Sequence, residues 1–552
     1  MQTLRQLLKP IEYGLQPKFK DYIHGQADAI QEIERQFNDG KRVVFLDAPT
    51  GSGKSLISMV LAHRLDNPDP TALVTVQSIA LQNQYAADFP DVVLVKGRGN
   101  FECALQPELT ADEGLCTLPD FGCEEKYLIC PYYIQKAKAA KANLVVTNLA
   151  FFLHEANYAR GMVCGNRQFL VLDEGHLLEN SLMEFVAIQL SERSLRLVGL
   201  DLPRFSSPAA AQDWAREVHP LVDAEINKLN VECAGKGQGV DVRLVRELLR
   251  YKRMIARLKT LTEITPENWF LAEDSRYRPD GESDFLGYTL KPFYIHDFVE
   301  PLVRKHAPRV LLMSATFLNP RVMSKLLGIP YEQVGWHQMD STFLPERRPY
   351  NFIPVVKLSY RTKSVGYQRL TEAIDQILEQ HLNQKGVVHT SSYKVMNEIL
   401  KCTRYYRRFL HHRPASLTVG SNELTRDAAI AEFLATSQPR VLISPAVGLG
   451  LDLFDDRARF QIIAKVPFAS LADPQVKFRQ EQDPEWYSWT AIAGLIQSCG
   501  RSTRHVRDYS TCYILDAAFY ILWKKYAYLF PAWWKKAFHQ VENVEQAVLA
   551  VA

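Results

Sequence analysis

The segment DAPTGSGKS at residues 47–55 has the residue types and spacing of a phosphate-binding loop. Gly51 and Gly53 let the backbone turn tightly, so that its N–H groups can face phosphate oxygens. Lys54 is placed to reach the β- and γ-phosphates, and the hydroxyl of Ser55 is placed to ligate Mg²⁺. The sequence therefore predicts a nucleoside triphosphate site, with binding expected from Ala48, Pro49, Thr50, Gly51, Ser52, Gly53, Lys54 and Ser55.

A second segment, FLVLDEGH at 169–176, carries two adjacent carboxylates directly after an apolar run. A buried strand would present Asp173 to a metal-bound water, while Glu174 would polarise the water that attacks the phosphate. Taken alone, an Asp-Glu pair after a strand is equally consistent with a helix N-cap. Because this pair follows the phosphate loop by about 120 residues, the catalytic interpretation is favoured.

A third segment, LIQSCGRSTRH at 495–505, places Gln497, Arg501 and Arg504 at helical spacing, with both arginines on one face. Guanidinium groups brought to a nucleotide by a second lobe would stabilise charge on the transferring phosphoryl group. The alternative is a solvated basic helix end.

Four of the nine cysteines, Cys103, Cys116, Cys123 and Cys130, fall within 28 residues. Twelve, six and six residues separate them, so the C-x2-4-C knuckle typical of structural zinc sites does not occur. Four thiolates suit either zinc or an iron–sulfur cluster, and buried free thiols are the third possibility. The spacing alone leaves these alternatives open. The scattered remainder are predicted to be packing residues: Cys164, Cys233, Cys402, Cys499 and Cys512.

Composition and charge are those of an ordinary globular protein. The 552 residues are 47% hydrophobic and 23% charged, and the length suits three or four domains. A formal net charge of +3 predicts no partner, so a nucleic-acid surface must be a local patch. The N-terminus lacks the apolar core of a signal peptide, and no run approaches ~20 apolar residues. We therefore expect a cytoplasmic protein with reduced cysteines and no membrane span.

Short β-branched runs alternate with helical patterns, which indicates α/β architecture with parallel sheets covered on both faces. Two series of runs predict two lobes, joined by a linker near 340–350. The runs lie at 42–46, 72–76, 143–147, 169–173 and 310–314, and then at 386–390, 440–444, 460–466 and 512–516. Two stretches, 97–142 and 180–300, break the alternation and are interpreted as insertions into the first lobe, the second of them mostly helical.

With these motifs in this order, the chain resembles the superfamily 2 helicases of the DinG/XPD-like type, which carry an iron–sulfur cluster. The resemblance covers nearly the whole length and departs from the family at three places: Gly175 for the usual alanine, Leu449 for the usual glutamate before Gly-x-Asp, and Val76 for a hydroxyl residue. It rests on HGQADAI (24–30), DAPTGSGKS, VTVQSIALQNQ (74–84), DEGH, MSAT (313–316), HTSSYKVMNEI (389–399), PAVGLGLDLF (445–454) and QSCGRSTRH.

The resemblance implies cofactors and further site residues. ATP, Mg²⁺ and a 4Fe–4S cluster are the implied cofactors, with Mg²⁺ held by Ser55 and Asp173. Gln26 would read adenine, and Asp452 and Gln497 would complete the nucleotide site. The cluster ligands would be Cys103, Cys116, Cys123 and Cys130, and contacts to the nucleic-acid backbone would come from Ser78, Gln84, Ser391 and Ser392.

The implied fold has two RecA-like P-loop lobes, with an iron–sulfur insertion and a helical arch insertion in the first lobe. The implied boundaries are lobe 1 at 1–96, 143–180 and 301–345, the cluster domain at 97–142, the arch at 181–300 and lobe 2 at 346–552. Lys136, Lys138 and Lys141, on a helix after Cys130, would either guide phosphates or form a solvated face. The aromatic-rich segment 519–538 would either stack bases or pack on lobe 2, and packing is favoured.

The implied activity is that of an ATP-dependent DNA helicase. It would be a monomer that moves along single-stranded DNA in the 5′ to 3′ direction and opens forked or tailed duplexes. The alternative, favoured by Leu449, is an ATP-switched nucleic-acid-binding or recruitment factor that does not separate strands.

Overall fold

The structure is a computed structural model that describes most of the chain. The described residues are 6–65, 71–117, 123, 126–159, 161–165, 167–236, 241–277, 283–359, 361–413, 424–445, 453–544 and 546.

Strands and helices alternate along both halves of the chain. The strands are β1 Val43–Asp47, β2 Ala72–Val76, β3 Val93–Val95, β4 Leu144–Asn148, β5 Phe169–Asp173, β6 Ile188–Ser191, β7 Trp269–Tyr277, β8 Ser283–Pro292, β9 Arg309–Ser314, β10 Val334–Gln338, β11 Tyr350–Val356, β12 Gly386–His389, β13 Phe409–Leu410, β14 Val441–Ser444, β15 Phe460–Ile463, β16 Thr511–Asp516 and β17 Phe538–Gln540. The helices are α1 Gln26–Asn38, α2 Lys54–Arg64, α3 Ile79–Asp88, α4 Lys126–Ile129, α5 Pro131–Ala140, α6 Leu149–Tyr158, α7 Leu178–Val186, α8 Glu192–Arg196, α9 Pro208–Lys236, α10 Val242–Glu263, α11 His296–Leu302, α12 Pro320–Leu326, α13 Ser364–Gln380, α14 Tyr393–Cys402, α15 Arg426–Ala435, α16 Pro474–Gln482, α17 Pro484–Cys499, α18 Phe519–Tyr526 and α19 Ala532–Lys536.

Lobe 1 is built on a seven-stranded parallel sheet of order β10-β1-β9-β5-β2-β4-β3. Every residue of β1, β2 and β5 is buried, because helices cover both faces of the sheet. Strand β9 lies between β1 and β5 and pairs Asp47 with Ser314 and Asp173 with Met313. The carboxyl ends of these three strands therefore bring the phosphate loop, the carboxylate pair and MSAT to one edge.

Lobe 2 has a second seven-stranded parallel sheet, of order β13-β14-β12-β15-β16-β11-β17. All nine predicted strand runs are strands of these two sheets, so the predicted α/β class with two lobes is confirmed. The linker prediction also fits, since β10 ends at Gln338 and β11 begins at Tyr350.

The sequence pattern missed several strands for identifiable reasons. Strand β11 contains Pro354, which argues against a strand inside a sheet. Its ladder with β17 covers only Tyr350–Phe352, so Pro354 lies beyond the pairs on that side. Strands β3, β13 and β17 have two or three residues each, too few to show a period.

The insertion at 181–300 combines two long helices with a small sheet. Helices α9 and α10 pack together and bury Leu248 and Leu258, two of the apolar residues that share one face of α10. Strands β6, β8 and β7 form an antiparallel sheet beside them. The mostly helical interpretation was therefore incomplete. The turn sequence Pro-Asp-Gly at 279–281, outside the described residues, was the signal for the β7–β8 hairpin.

The two lobes are in contact through a continuous apolar cluster that includes Leu312 and Phe317 of lobe 1 and Trp489 and Ile492 of lobe 2. In lobe 2 the aromatic-rich C-terminal segment is packed inward. Trp534 is fully buried, and its ring stacks on Tyr350 at 4.8 Å between centroids. The packing prediction is confirmed for this residue. Among the described helices, none combines the length and apolar character that crossing a bilayer requires.

Candidate nucleotide site and cysteine cavity

The phosphate loop joins the end of β1 to the start of α2. Gly51 and Gly53 have φ of +82° and +75°, a left-handed conformation that side chains with a Cβ adopt at a cost. The Nζ of Lys54 donates to the carbonyl of Ala48 at 3.3 Å. Buried Gln26 donates from Nε2 to the carbonyl of Ser52 at 2.9 Å, so its side chain is fastened directly to the loop.

Two buried carboxylates stand at the carboxyl ends of β1 and β5. Burial raises the pKa of Asp173 to about 6, with the charge of Glu174 adding to the rise and Lys54 opposing it. Burial likewise raises the pKa of Asp47 to about 6, against hydrogen bonds and the charge of Lys54. Tyr85 donates its phenolic O–H to Oδ2 of Asp173 at 3.2 Å. The structure thus brings Lys54, Asp173 and Glu174 together, and adds Tyr85 and Asp47, which the sequence reasoning did not include.

Glu174 occupies a strained position directly after β5. Its φ of +51° is left-handed and unusual for a residue other than glycine. The backbone N–H of Glu174 donates to Oδ1 of Asp173 at 3.0 Å, and its Oε2 lies 3.4 Å from Nδ1 of His176. The bend turns the Glu174 carboxylate away from the strand direction that the Asp173 carboxylate follows.

His176 is buried between the lobes in its neutral form. Burial lowers the pKa of His176 to about 4. With the amide of Gln497 donating to ring Nε2, the ring proton lies on Nδ1, where Ser314 Oγ accepts at 2.7 Å and Glu174 lies close by. A neutral ring can accept from lobe 2 and donate within lobe 1 at the same time.

Helix α17 of lobe 2 carries Gln497 to this edge and ends at Cys499. The prediction that Arg501 and Arg504 share one helix face was wrong, because both follow the helix in an irregular segment. Gln497 donates to Oγ1 of Thr316 at 3.0 Å as well as to His176, so it bridges the lobes. A Cβ placed on Gly51 would lie 3.3 Å from the backbone oxygen of Arg504, which puts the arginine segment against the phosphate loop. The side chain of Gln497 therefore reaches DEGH and MSAT, while the chain around Arg504 reaches the loop itself.

A buried polar network that the sequence did not reveal holds Arg501 and Arg504 in place. Gln461 of β15 donates to the carbonyl of Cys499 at 2.9 Å and to Ser502 Oγ at 2.7 Å. Its Oε1 lies 3.0 Å from Nε2 of His389, whose pKa burial lowers to about 4. The Arg504 N–H donates to Oδ2 of buried Asp508 at 3.1 Å.

Comparisons with known proteins agree with this arrangement. The helicase C-terminal domain family matches residues 375–537, and the type III restriction enzyme res subunit family matches residues 20–200. A solved XPD helicase is 15% identical, with a TM-score of 0.62 and coverage of 98% of this chain and 100% of that one. An XPD structure named as the apo form is 16% identical, with a TM-score of 0.56 and coverage of 94% and 99%.

Lobe 2 therefore matches a helicase C-terminal domain, and the fold of the chain is shared with XPD helicases.

A curated relative is the regulator of telomere elongation helicase 1 homolog of Drosophila virilis, 31% identical over 107 residues. That match takes in 17% of this chain and spans 10% of the length of the Drosophila protein.

The polar residues expected on nucleic acid lie on or after strands and helices in both lobes of the protein. Ser78 caps α3 by accepting from the Leu81 N–H at 3.3 Å, and Ser392 caps α14 by accepting from the Val395 N–H at 3.3 Å. Ser391 has a φ of +53° and donates to the carbonyl of Lys465 at 3.0 Å. Gln84 is exposed on α3. Asp452, with Leu449, lies outside the described residues.

The four clustered cysteines line one cavity, together with Lys126 and Tyr133. Burial raises the pKa of Cys116, against the charge of Arg98, with further rises from Cys103 and Cys130. The guanidinium of Arg98 lies 5.0 Å from the ring centre of Tyr132 and 5.3 Å from that of Tyr133. Thiols from four separate points of the segment therefore meet beside a fixed cation.

Two predictions about single residues, Lys136 after the cysteine segment and Cys402 in lobe 2, were wrong. Lys136 is neither solvated nor free to guide phosphates, because it is buried and its Nζ lies 3.3 Å from Oε1 of buried Glu155. Lys138 and Lys141 are exposed, as either alternative requires. Cys402 is exposed rather than packed. Cys164, Cys233, Cys499 and Cys512 are buried, as expected of packing residues.

Proposed function

We propose that this protein hydrolyses ATP between its lobes to move along single-stranded DNA, 5′ to 3′, and to open forked or tailed duplexes. The observation that carries the proposal is the bridge from Gln497 in lobe 2 to Thr316 and His176 in lobe 1. A hydrolysis site shared by two lobes makes the separation of the lobes depend on the nucleotide, and that dependence is what a motor needs.

In the proposed chemistry each residue has a separate task. Gln26 faces the base, and Lys54 with the loop N–H groups neutralises the phosphates. Ser55 and Asp173 offer the hydroxyl and carboxylate oxygens that Mg²⁺ prefers, and the ion supplies charge neutralisation when bound.

Glu174 takes the proton of the attacking water. Arg501 and Arg504 stabilise the charge that develops on the γ-phosphoryl oxygens. Asp452 is proposed to complete the nucleotide site.

The cysteine cavity is proposed to hold a 4Fe–4S cluster on Cys103, Cys116, Cys123 and Cys130. The residues fit the group, because four thiols border one space and the charge of Arg98 favours thiolate over thiol at Cys116. When bound, the cluster would supply a covalent junction between these four points of the segment. Its role is then to stiffen the domain beside the DNA.

A basic stripe on the arch supports a path for the strand between arch and cluster domain. Arg246, Arg250, Arg253 and Arg257 of α10 are spaced by four, three and four residues and share one face. Arg246 lies 3.5 Å from Glu113, and Arg253 lies 3.7 Å from Asp112, both in the cysteine segment. Such long, exposed ion pairs are weak, so phosphates can replace the carboxylates. Ser78, Gln84, Ser391 and Ser392 are proposed to hold the backbone across the lobes.

The second candidate is an ATP-switched binding or recruitment factor that hydrolyses ATP without separating strands. Leu449 favours it, because a hydrophobic residue replaces the glutamate that the family carries there.

Stimulation of ATP hydrolysis by single-stranded DNA tests the proposed function. We expect the wild-type rate to rise when single-stranded DNA is added, and Lys54→Ala to abolish hydrolysis with and without DNA. Lys401→Ala, at an exposed lysine of α14, is the matched control and should behave as wild type. Full activity of Lys54→Ala would refute the assignment of the site.

A further inference from the structure

We infer that Trp489 and Asp47 are positioning residues. Through the turn at Phe317 and Leu318, they make the conformation of the phosphate loop depend on the position of lobe 2. The inference rests on the proposed function and deepens it, because it names how nucleic-acid binding would regulate ATP turnover.

The turn that follows MSAT is held in a strained conformation. Leu318 has a φ of +62°, in the left-handed region that residues other than glycine rarely occupy. Phe317 is fully buried and Leu318 is nearly so. A strained backbone persists only where the surrounding contacts hold it in place. The contacts of this turn therefore maintain its conformation.

On the lobe 1 side, the turn is hydrogen-bonded to Asp47 at the start of the phosphate loop. Oδ1 of Asp47 accepts from the Phe317 N–H at 3.3 Å, and the Leu318 N–H also bonds this carboxylate. Its Oδ2 accepts from Nε2 of Gln338 at 2.9 Å, which fixes the carboxylate orientation. The next residue, Ala48, donates its N–H to the carbonyl of Ser314 at 2.7 Å.

On the lobe 2 side, helix α17 donates hydrogen bonds to two successive residues of the same segment, Thr316 and Phe317. The indole Nε1 of Trp489 donates to the carbonyl of Phe317 at 2.9 Å, in a fully protein-enclosed contact. Two turns later on α17, Gln497 donates to Oγ1 of Thr316 at 3.0 Å. The Phe317 carbonyl therefore contacts lobe 2. The Phe317 N–H contacts Asp47 at the end of β1, the strand that leads into the phosphate loop.

The contacts form one chain from lobe 2 to the nucleotide. It runs from Trp489 to the Phe317 carbonyl, through the turn to Asp47, and then to Ala48, whose own carbonyl accepts from Lys54 Nζ at 3.3 Å. When lobe 2 moves away, the Phe317 carbonyl loses the Trp489 N–H and keeps only the Asn319 N–H, which donates at 2.6 Å, and the strained turn is free to relax. Asp47 then loses its fixed N–H donors, and the loop loses a support. Turnover, rather than ATP binding, should be sensitive to this chain.

The test is Trp489→Phe, which keeps an aromatic ring in place and removes the indole N–H that donates to the Phe317 carbonyl. We expect the DNA-stimulated kcat to fall by up to about tenfold, the cost of losing one of the two hydrogen bonds to a buried carbonyl, with KM for ATP unchanged. The matched control is Trp523→Phe, which removes an indole N–H from the lobe 2 aromatic cluster, where Trp523 packs 4.1 Å from Phe538. The control should match wild type.

A second measurement does not depend on catalysis. Hydrogen exchange of the Phe317 and Leu318 amides in the unliganded protein should be faster in Trp489→Phe than in Trp523→Phe. If wild-type hydrolysis is not stimulated by DNA, the proposed function fails, while faster exchange still supports the role of Trp489 at the turn. Exchange equal to the control, or a stimulated kcat equal to the control where the wild type is stimulated, overturns the inference.

Discussion

Glu174 has a backbone conformation that suits a reacting residue. Its left-handed φ of +51° lets two adjacent carboxylates serve different tasks, since Asp173 continues along the strand and Glu174 turns toward His176. Strain of this kind is typical of active sites and is maintained by the surrounding packing. The sequence predicted both carboxylates and their separate tasks, but it held no signal for the left-handed backbone of Glu174.

Replacing Glu174 by glutamine tests its assignment as the base. Because the amide cannot accept the proton of the attacking water, we expect kcat for ATP hydrolysis to fall by about 10²- to 10⁴-fold. Nucleotide affinity, measured by titration with a fluorescent ATP analogue, should persist. Glu184→Gln, at an exposed position on α7, controls for the loss of one charge nearby. Hydrolysis at the wild-type rate in Glu174→Gln would assign the base elsewhere.

Asp47 carries a stability cost that depends on pH. Its folded pKa of about 6 is above the unfolded value of 3.8, so between these values the folded state binds more protons than the unfolded state. Stability is therefore lost as the pH rises from about 4 to about 6, and the loss persists above that range.

We expect Asp47→Asn to raise the free energy of unfolding at pH 8 by up to about 3 kcal/mol, with no gain near pH 4. Chemical denaturation at the two pH values measures the difference. Asp427→Asn, at a side chain that is 83% exposed, should change neither value. An equal effect of Asp47→Asn at both pH values would contradict the raised pKa.

At the scale of elements, nine strands of the two parallel sheets were predictable, and several supports of the site were not. Continuous apolar runs indicated the two sheets because parallel strands are buried on both faces. The Gln461–His389 contact was not predictable, because polar residues in a buried strand have no periodic signature. Strand β11 was not predicted because it contains Pro354. Pro354 is tolerated there because β17 pairs only with Tyr350–Phe352, and the sequence does not show where that pairing ends.

The cysteine segment is the element whose function is tested most simply. We expect anaerobically purified protein to be coloured and to contain iron, and Cys123→Ser to lose both colour and iron, because one of four thiolate ligands is removed. Cys402→Ser, at an exposed cysteine outside the cavity, should retain them. Metal analysis and visible absorption are the measurements. Colourless wild-type protein with stoichiometric zinc would contradict the cluster.

At the scale of the whole molecule, residues far apart in sequence meet at one edge, so the proposed hydrolysis would be linked to movement of the lobes. Gln497 contacts His176 across 321 positions of the chain. The motifs predicted that these segments share a site, because each lacks a complete set of catalytic groups. They did not predict Trp489 or Asp47, whose importance lies in one turn that only the folded chain brings together.

The central claim is that ATP hydrolysis between the lobes drives directed strand separation. The most direct measurement is displacement of a labelled strand from duplexes with a 5′ or a 3′ single-stranded tail, with ATP and Mg²⁺ present. The account predicts ATP-dependent displacement from the 5′-tailed duplex, little from the 3′-tailed duplex, and none with Glu174→Gln. DNA-stimulated hydrolysis without displacement from either duplex would contradict it and would support the ATP-switched binding factor.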